Sequence, residues 1–148
     1  CTIASYSTSY LPHKFPVALI SDAALNNGNL VTAPLQASFV NCIFWGEEGW
    51  VADEVVSEKK GSNFSLLLDH CLMRAAADPG NAVLTSILRN SDPVFDSVDV
   101  VNNIFDFHTR KDVTAPGINY GVPTSFTEDL DGLNRNQGLP DLGCYEKQ

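Results

Sequence analysis

The sequence lacks the features of helical and membrane-spanning proteins. Helical periodicity is scarce, and only residues 69–77 have consistent helix propensity. No apolar run approaches the ~20 residues that a membrane-spanning helix needs. The richest run, residues 39–45, is short and is interrupted by Asn41. We therefore expect no membrane span and a chain built mainly of strands.

Positive charge is also scarce. Lysine and arginine together number 9 against 18 aspartate and glutamate residues, so the formal net charge is −9. The basic residues are scattered, and only Lys59-Lys60 and Arg110-Lys111 are adjacent. An acidic surface repels phosphate backbones, so nucleic acid is not expected as a partner.

Metal-binding spacings are missing as well. The cysteines and histidines are Cys1, Cys42, Cys71, Cys144, His13, His70 and His108. They form no CxxC or HxxxH pair, which disfavours a zinc site. Two disulfides remain open on number alone, although a chain of 148 residues does not need them.

The chain opens on a strand-like segment and not on a signal peptide, so we expect any such signal to have been removed. Cys1 then has two interpretations. It is either the lipid-bearing first residue of a mature bacterial lipoprotein, or the point at which a larger chain was cut. The second interpretation is preferred.

The first half of the sequence contains short β-rich runs separated by turn residues. The predicted strands are residues 2–6, 16–21, 35–45 and 64–73. With 44% apolar residues, the pattern is typical of an all-β sandwich, a barrel or a β-helix.

Three of these strands carry a cysteine at a corresponding place: CTI from residue 1, NCIF from 41 and HCLM from 70. Residues two apart in a strand share a face, so inward cysteines would place Ile3, Phe44 and Met73 inward, together with Val40. Asp69 has the same parity and breaks the pattern unless its strand starts later. Stacked coils of a β-helix explain the repeat, and loop insertions explain its uneven spacing. A coincidence within a β-sandwich is the alternative.

The cysteines of this column are expected to stay reduced. Neighbouring strands lie ~4.8 Å apart, whereas a disulfide holds its two Cβ atoms ~3.8 Å apart.

We predict one domain with two parts. Residues 1–77 form β-helix coils with a loop insertion near 46–61, and residues 78–148 form an irregular C-terminal coil and cap. From residue 92 onward the chain is rich in Asp, Asn, Gly and Pro, with isolated apolar anchors. That composition suits a segment that covers the open end of a solenoid.

A set of motifs follows in order along the chain. They are NCIFWG at 41–46, DPVFD at 92–96, FDFH at 105–108, APGINYG at 115–121, DLDGLNR at 129–135 and PDLGCYE at 140–146. The set resembles the C-terminal ends of bacterial β-helix proteins of the pectate-lyase-like superfamily, common among secreted and surface proteins of Bacteroidetes. The sequence departs from the family pattern at Glu47, Gly117 and Cys144, which we interpret as surface or packing changes.

The resemblance implies an all-β, right-handed parallel β-helix in a secreted or cell-surface protein. For many members it also implies polysaccharide binding or breakdown. It implies no fixed active site here, because the catalytic residues of such enzymes usually lie on central coils. Upstream coils of the same parent protein are therefore an expected partner.

Acidic residues supply two candidate sites. Asp129 and Asp131 are spaced as in a calcium loop, since hard cations take several oxygen ligands. The preferred alternative is a turn at Asp131-Gly132 with Arg135 paired to Glu146 or Asp141. Asp69 and His70 are the candidate catalytic pair for glycan cleavage, and the preferred alternative is a strand-edge acid beside a surface histidine.

Four aromatic residues form the candidate ligand-binding surface. Trp45, Trp50, Tyr6 and Tyr10 could stack on sugar rings if they point outward, or they could be covered by the loop at 46–61. The expected function is carbohydrate binding or scaffolding in an extracellular β-helix protein, without an active site in this segment. The alternatives are part of a polysaccharide lyase or glycoside hydrolase, and a structural or adhesive stalk.

Overall fold

A computed structural model describes residues 1–8, 10–47, 49–135 and 137–147. Over these residues the chain is all-β, and they include no helix that could cross a membrane. The strands are β1 Thr2–Ser5, β2 Ala18–Ser21, β3 Ala23–Asn26, β4 Asn29–Thr32, β5 Leu35–Val40, β6 Ile43–Gly46, β7 Val55–Glu58, β8 Phe64–Asp69, β9 Leu72–Met73, β10 Ala82–Thr85, β11 Leu88–Arg89, β12 Phe95–Asp99 and β13 Ile104–Thr109.

Parallel pairing joins strands that are distant in sequence. A four-stranded sheet has the order β1-β6-β9-β11, a three-stranded sheet has the order β10-β8-β5, and β2 pairs with β7. β5 leads into β6, β8 into β9 and β10 into β11. The first strand of each such segment belongs to the three-stranded sheet and the second to the four-stranded sheet. We call residues 35–46, 64–73 and 82–89 the strand–bend–strand units. The strands predicted from sequence at 35–45 and 64–73 are thus each two strands joined by a bend.

The three bends share one backbone conformation. The residue after the first strand of each unit has a positive φ: 55° at Asn41, 48° at His70 and 50° at Ser86. Asparagine and histidine adopt this left-handed region more readily than most residues, whereas serine depends more on its surroundings. The backbone ladder continues past the bends, because Leu72 N donates to Cys42 O at 2.9 Å and Leu88 N donates to Cys71 O at 2.9 Å.

The bend also shifts the alternation of side chains. Phe39 packs against the main core and makes an edge contact with Phe44 at 5.3 Å, whereas Val40 is not part of that core. The prediction that Val40 points inward is therefore wrong, because it carried the alternation through Asn41 as if the strand were continuous. The same shift accounts for Asp69, since Leu68 is the buried neighbour that enters the core.

The main core lies between the three parallel sheets. Its buried members are Ile20, Cys42, Phe44, Val55, Leu66, Leu68, Cys71, Met73 and Ala75. Cys42, Phe44, Cys71 and Met73 share this core as the sequence predicts, and Ile3 packs against it. Register explains the stacking, because Phe44 pairs with Ile3 on one side and with Met73 on the other.

Two boundaries differ from those predicted. The strand–bend–strand units continue to residue 89, beyond the predicted limit at 77, because the turn-rich residues 78–81 join β9 to β10 without ending the stack. The predicted loop at 46–61 contains β7, which pairs with β2. Between β3 and β4, Asn27 and Gly28 both have positive φ, as a tight hairpin turn requires.

The C-terminal tail, residues 115–135 and 137–147, lies along the outward side of the four-stranded sheet. Leu142 forms a second core with Ile43 and Leu72, to which Trp45 and Tyr120 add partly buried rings. The contacts of this second core cover a side face of the sheet, whereas the sequence predicts a cap over the end of the stack. A Cβ at Gly143 would meet Thr2 Oγ1 at 2.7 Å, so glycine permits this close approach.

We expect Leu142→Ala to lower the free energy of unfolding by about 2–5 kcal/mol, because it empties the centre of the second core. Leu142 is 4% exposed, whereas Leu139 in the same tail is 54% exposed. Leu139→Ala is therefore the matched control and should change stability by less than about 0.5 kcal/mol. Urea unfolding measures both variants, and equal effects would show that the tail does not pack as described.

Candidate functional site

Two exposed aromatic rings lie on the loops that join the first sheet to β2 and β7. Tyr10, in the loop that follows β1, is 92% exposed, and Trp50, in the loop that precedes β7, is 76% exposed. Lys14 Nζ lies 5.4 Å from the centroid of the Trp50 ring, within reach of a cation–π interaction. Phe15 is exposed beside Lys14 in sequence and was not predicted as part of a site. We call Tyr10, Lys14, Phe15 and Trp50 the loop surface.

A buried hydrogen bond between His13 and Glu54 ties the two loops together. His13 Nε2 lies 2.9 Å from Glu54 Oε1, and both side chains are almost fully buried. The second Glu54 oxygen accepts a hydrogen bond from Val17 N at 3.2 Å, and Ser7 Oγ bonds to Glu47. A Cβ at Gly46 would overlap both Glu54 and His13, so glycine makes room for the pair. The exposed rings are therefore carried by loops with a fixed, buried anchor.

The other two predicted aromatic residues are not free surface rings. Trp45 is half-buried against the second core, to which the tail contributes Leu142 and Tyr120. Tyr6 stacks on Phe105 with the ring centroids 6.1 Å apart. Burial, with the nearby Asp92 carboxylate, raises the pKa of Tyr6 well above its usual value. The structure thus separates the predicted four into two exposed and two packed rings.

The candidate catalytic pair is joined by a hydrogen bond. His70 Nδ1 lies 2.7 Å from Asp69 Oδ1, and both side chains are partly exposed. His70 also occupies a left-handed bend and packs its ring 5.9 Å from that of Tyr120. Both observations give His70 a structural role.

The candidate calcium carboxylates are occupied by protein groups. Asp129 Oδ1 accepts hydrogen bonds from Asp131 N at 2.9 Å and Leu133 N at 2.8 Å, and Oδ2 accepts one from Glu146 N at 2.8 Å. Burial opposes ionisation of Asp129, but these backbone donors outweigh it and lower its pKa. Arg135 Nε lies 3.0 Å from Glu146 Oε1, which confirms the predicted pairing. Within the described residues, no three His, Cys, Asp or Glu side chains are grouped to hold a metal ion.

No protein-family model, curated protein or solved structure matches this chain. The chemistry of the sites therefore has to come from their own contacts. Exposed flat rings on anchored loops can stack on apolar faces of sugars, and the adjacent Lys14 can bind an anionic or hydroxyl group. Both candidate carboxylate sites, in contrast, are engaged in hydrogen bonds that account for their residue types.

A histidine between two carboxylates was missed in the sequence. His108 Nδ1 lies 2.5 Å from Asp106 Oδ1, its Nε2 lies 2.8 Å from Asp131 Oδ2, and its ring stacks on Tyr145 at 3.8 Å. Desolvation lowers the pKa of His108, but the hydrogen bonds to Asp131 and Asp106 outweigh it, and the pKa is raised. The Asp106-x-His108 spacing on β13 was the available signal, because residues two apart share a face.

We expect this cluster to make stability depend on pH. The folded chain holds the His108 proton more tightly than the unfolded chain, whose pKa is about 6.5. The cluster therefore contributes fully below pH ~6.5 and loses its contribution as pH rises through the raised folded pKa. On the acid side, hydrogen bonds from the His108 backbone and ring lower the pKa of Asp106, so its contribution is lost as pH falls below ~4.

Urea unfolding midpoints between pH 4 and 9 test this expectation. His108→Asn should flatten the decline above pH ~6.5, and His70→Asn serves as the matched control in a second Asp–His pair. An unchanged pH profile in His108→Asn would contradict the assignment.

Proposed function

We propose that this chain is the terminal part of a right-handed parallel β-helix that binds carbohydrate through its loop surface and has no active site of its own. The fold part rests on the strand–bend–strand units. The three units stack in register with parallel pairing, and each has a bend residue in the left-handed conformation. Right-handed crossovers between parallel strands are favoured in about 98% of cases, which supports the handedness.

The motif resemblance and the open strand edges support a larger extracellular parent. The β1 strand ends the four-stranded sheet and β5 ends the three-stranded sheet, so both present unpaired backbone groups. Parallel strands from upstream coils of the same parent protein would satisfy these edges. The pectate-lyase-like resemblance supports a secreted or cell-surface location, with polysaccharide as the ligand class.

The binding part is carried by one observation: Tyr10 and Trp50 expose their rings from loops that a buried His13–Glu54 pair holds together. Stacking needs flat apolar faces held in a fixed position, because ordering a mobile loop would cost part of the binding free energy. The Lys14 side chain over Trp50 adds a hydrogen-bond donor and a positive charge beside the ring.

Binding should be lost stepwise when the rings are removed. Trp50→Ala and Tyr10→Ala should each weaken binding by about two- to tenfold, the usual range for one aromatic contact. Phe126→Ala is the matched control, because Phe126 is also 76% exposed but lies on the tail. Titration calorimetry with polygalacturonate, xylan and dextran measures the affinities. Absence of binding to every glycan of a broad panel would favour the structural or adhesive stalk.

The absence of turnover is a separate expectation. The Asp69 and His70 side chains hydrogen-bond to each other and His70 packs against Tyr120, whereas cleavage of a glycan needs a pre-organised acid and base. We expect no release of reducing ends or unsaturated products from the same three polysaccharides. Turnover that disappears in Asp69→Asn would instead make this chain part of a lyase or hydrolase.

A further inference from the structure

Three cysteines occupy equivalent places in neighbouring strands of the four-stranded sheet. Cys42 immediately precedes β6, Cys71 immediately precedes β9, and Cys1 precedes β1 in the same way. Their carbonyls accept equivalent ladder hydrogen bonds, from Ile43 N to Cys1 O at 2.8 Å and from Leu72 N to Cys42 O at 2.9 Å. All three thiols are free, as the sequence predicts.

The first two sulfur atoms are close despite the strand spacing. Cys1 Sγ lies 3.5 Å from Cys42 Sγ. The ~4.8 Å separation of neighbouring strands keeps in-register cysteines from bridging without movement, but here the outer partner, Cys1, is exposed and precedes its strand. A small displacement of Cys1 towards Cys42 is therefore enough to form a bond, while Cys42 stays in the core.

Access to the thiols is graded along the column. Cys1 is exposed, whereas Cys42 and Cys71 are buried. Cys1 and Cys42 both line an open cavity of about 640 Å³, together with Phe39, Phe126 and Cys144. A small reagent can thus reach Cys1 from the solvent with space for a leaving group beside it, whereas Cys42 is only 4% exposed.

The neighbouring thiols also differ in acidity. A hydrogen bond from the Cys71 thiol lowers the pKa of Cys42, because it outweighs the opposing effect of desolvation. The same contact and burial raise the pKa of Cys71. The attacking species in disulfide exchange is a thiolate, and Cys42 is the thiol in position to attack, because its Sγ lies 3.5 Å from Cys1 Sγ whereas Cys71 is buried.

We propose that Cys1 and Cys42 form a reversible disulfide by exchange with a low-molecular-weight disulfide. The Cys1 thiolate attacks one sulfur of the external disulfide, which breaks its S–S bond, forms a mixed disulfide on Cys1 and releases one thiolate. The Cys42 thiolate then attacks Cys1 Sγ and releases the second external thiolate. Two protein thiols are oxidised, the external disulfide is reduced to two thiols, and the two protein protons end on the released thiolates. The bridge fastens the edge strand β1 to β6.

Oxidised glutathione is the probe, and peptide mapping by mass spectrometry after acid quenching is the measurement. The 148-residue chain should lose two hydrogen atoms in mass and yield a Cys1–Cys42 linked peptide. Cys42→Ser should instead retain glutathione on Cys1, because the second step is missing. Cys1→Ser should react more slowly than the unsubstituted chain, because the accessible thiol is gone.

Cys144→Ser is the matched control, because Cys144 lines the same cavity but its Sγ contacts Thr2 Oγ1 at 3.4 Å. This variant should form the Cys1–Cys42 bridge as the unsubstituted chain does. Stable glutathione on Cys1 of the unsubstituted chain, or a bridge that maps to another cysteine pair, would overturn the proposal. Addition of a reducing thiol should restore the four free thiols.

Discussion

The left-handed residue between the two strands of each strand–bend–strand unit is the constraint on which the rest of this structure depends. At Asn41, His70 and Ser86 it turns the chain from one parallel sheet into the next within two residues. The turn is sharp enough to bring both sheets around one core, and its recurrence keeps the units in register. Without it the long apolar runs would continue as straight strands, and the two sheets would have no shared interior.

Side-chain placement follows from this bend. Before Asn41 the residue that enters the core is Phe39, and after it the inward residues are Cys42 and Phe44. The bend also leaves the opposite face of the four-stranded sheet apolar at Ile43 and Leu72, which the tail then covers through Leu142. A sheet with two apolar faces needs covering on both, so the main core and the tail are consequences of one pattern.

Much of the fold follows from residue patterns alone. The all-β class, the recurrence of the cysteine positions and the Arg135–Glu146 pair are evident in the sequence, since they depend on local alternation and charge. Alternation did not predict the inward placement of Phe39, because the bend at Asn41 interrupts the alternation between Val40 and Cys42. The covering of Trp45 was also missed, because it depends on a tail that returns about a hundred residues later.

The candidate site shows the same division. Exposure of Tyr10 and Trp50 agrees with the aromatic surface expected from sequence, but the buried His13–Glu54 pair that anchors it joins residues 41 positions apart. Such a pair is invisible to local reasoning, because either residue alone would be expected at the surface. His108 was overlooked for a similar reason, since one of its carboxylate partners lies in the tail.

Asn41 has a further consequence for the order of assembly. Its side-chain amide donates to Val122 O at 2.7 Å and accepts from Val122 N at 2.9 Å, and its carbonyl accepts from Gly143 N at 2.9 Å. These acceptors and donors face the tail only once the first unit has bent, so the tail has no docking partner on an unfolded chain. These contacts join residues 81 positions apart, and long-range contacts of this kind tend to form late in folding. We therefore expect the C-terminal tail to attach after the units have stacked.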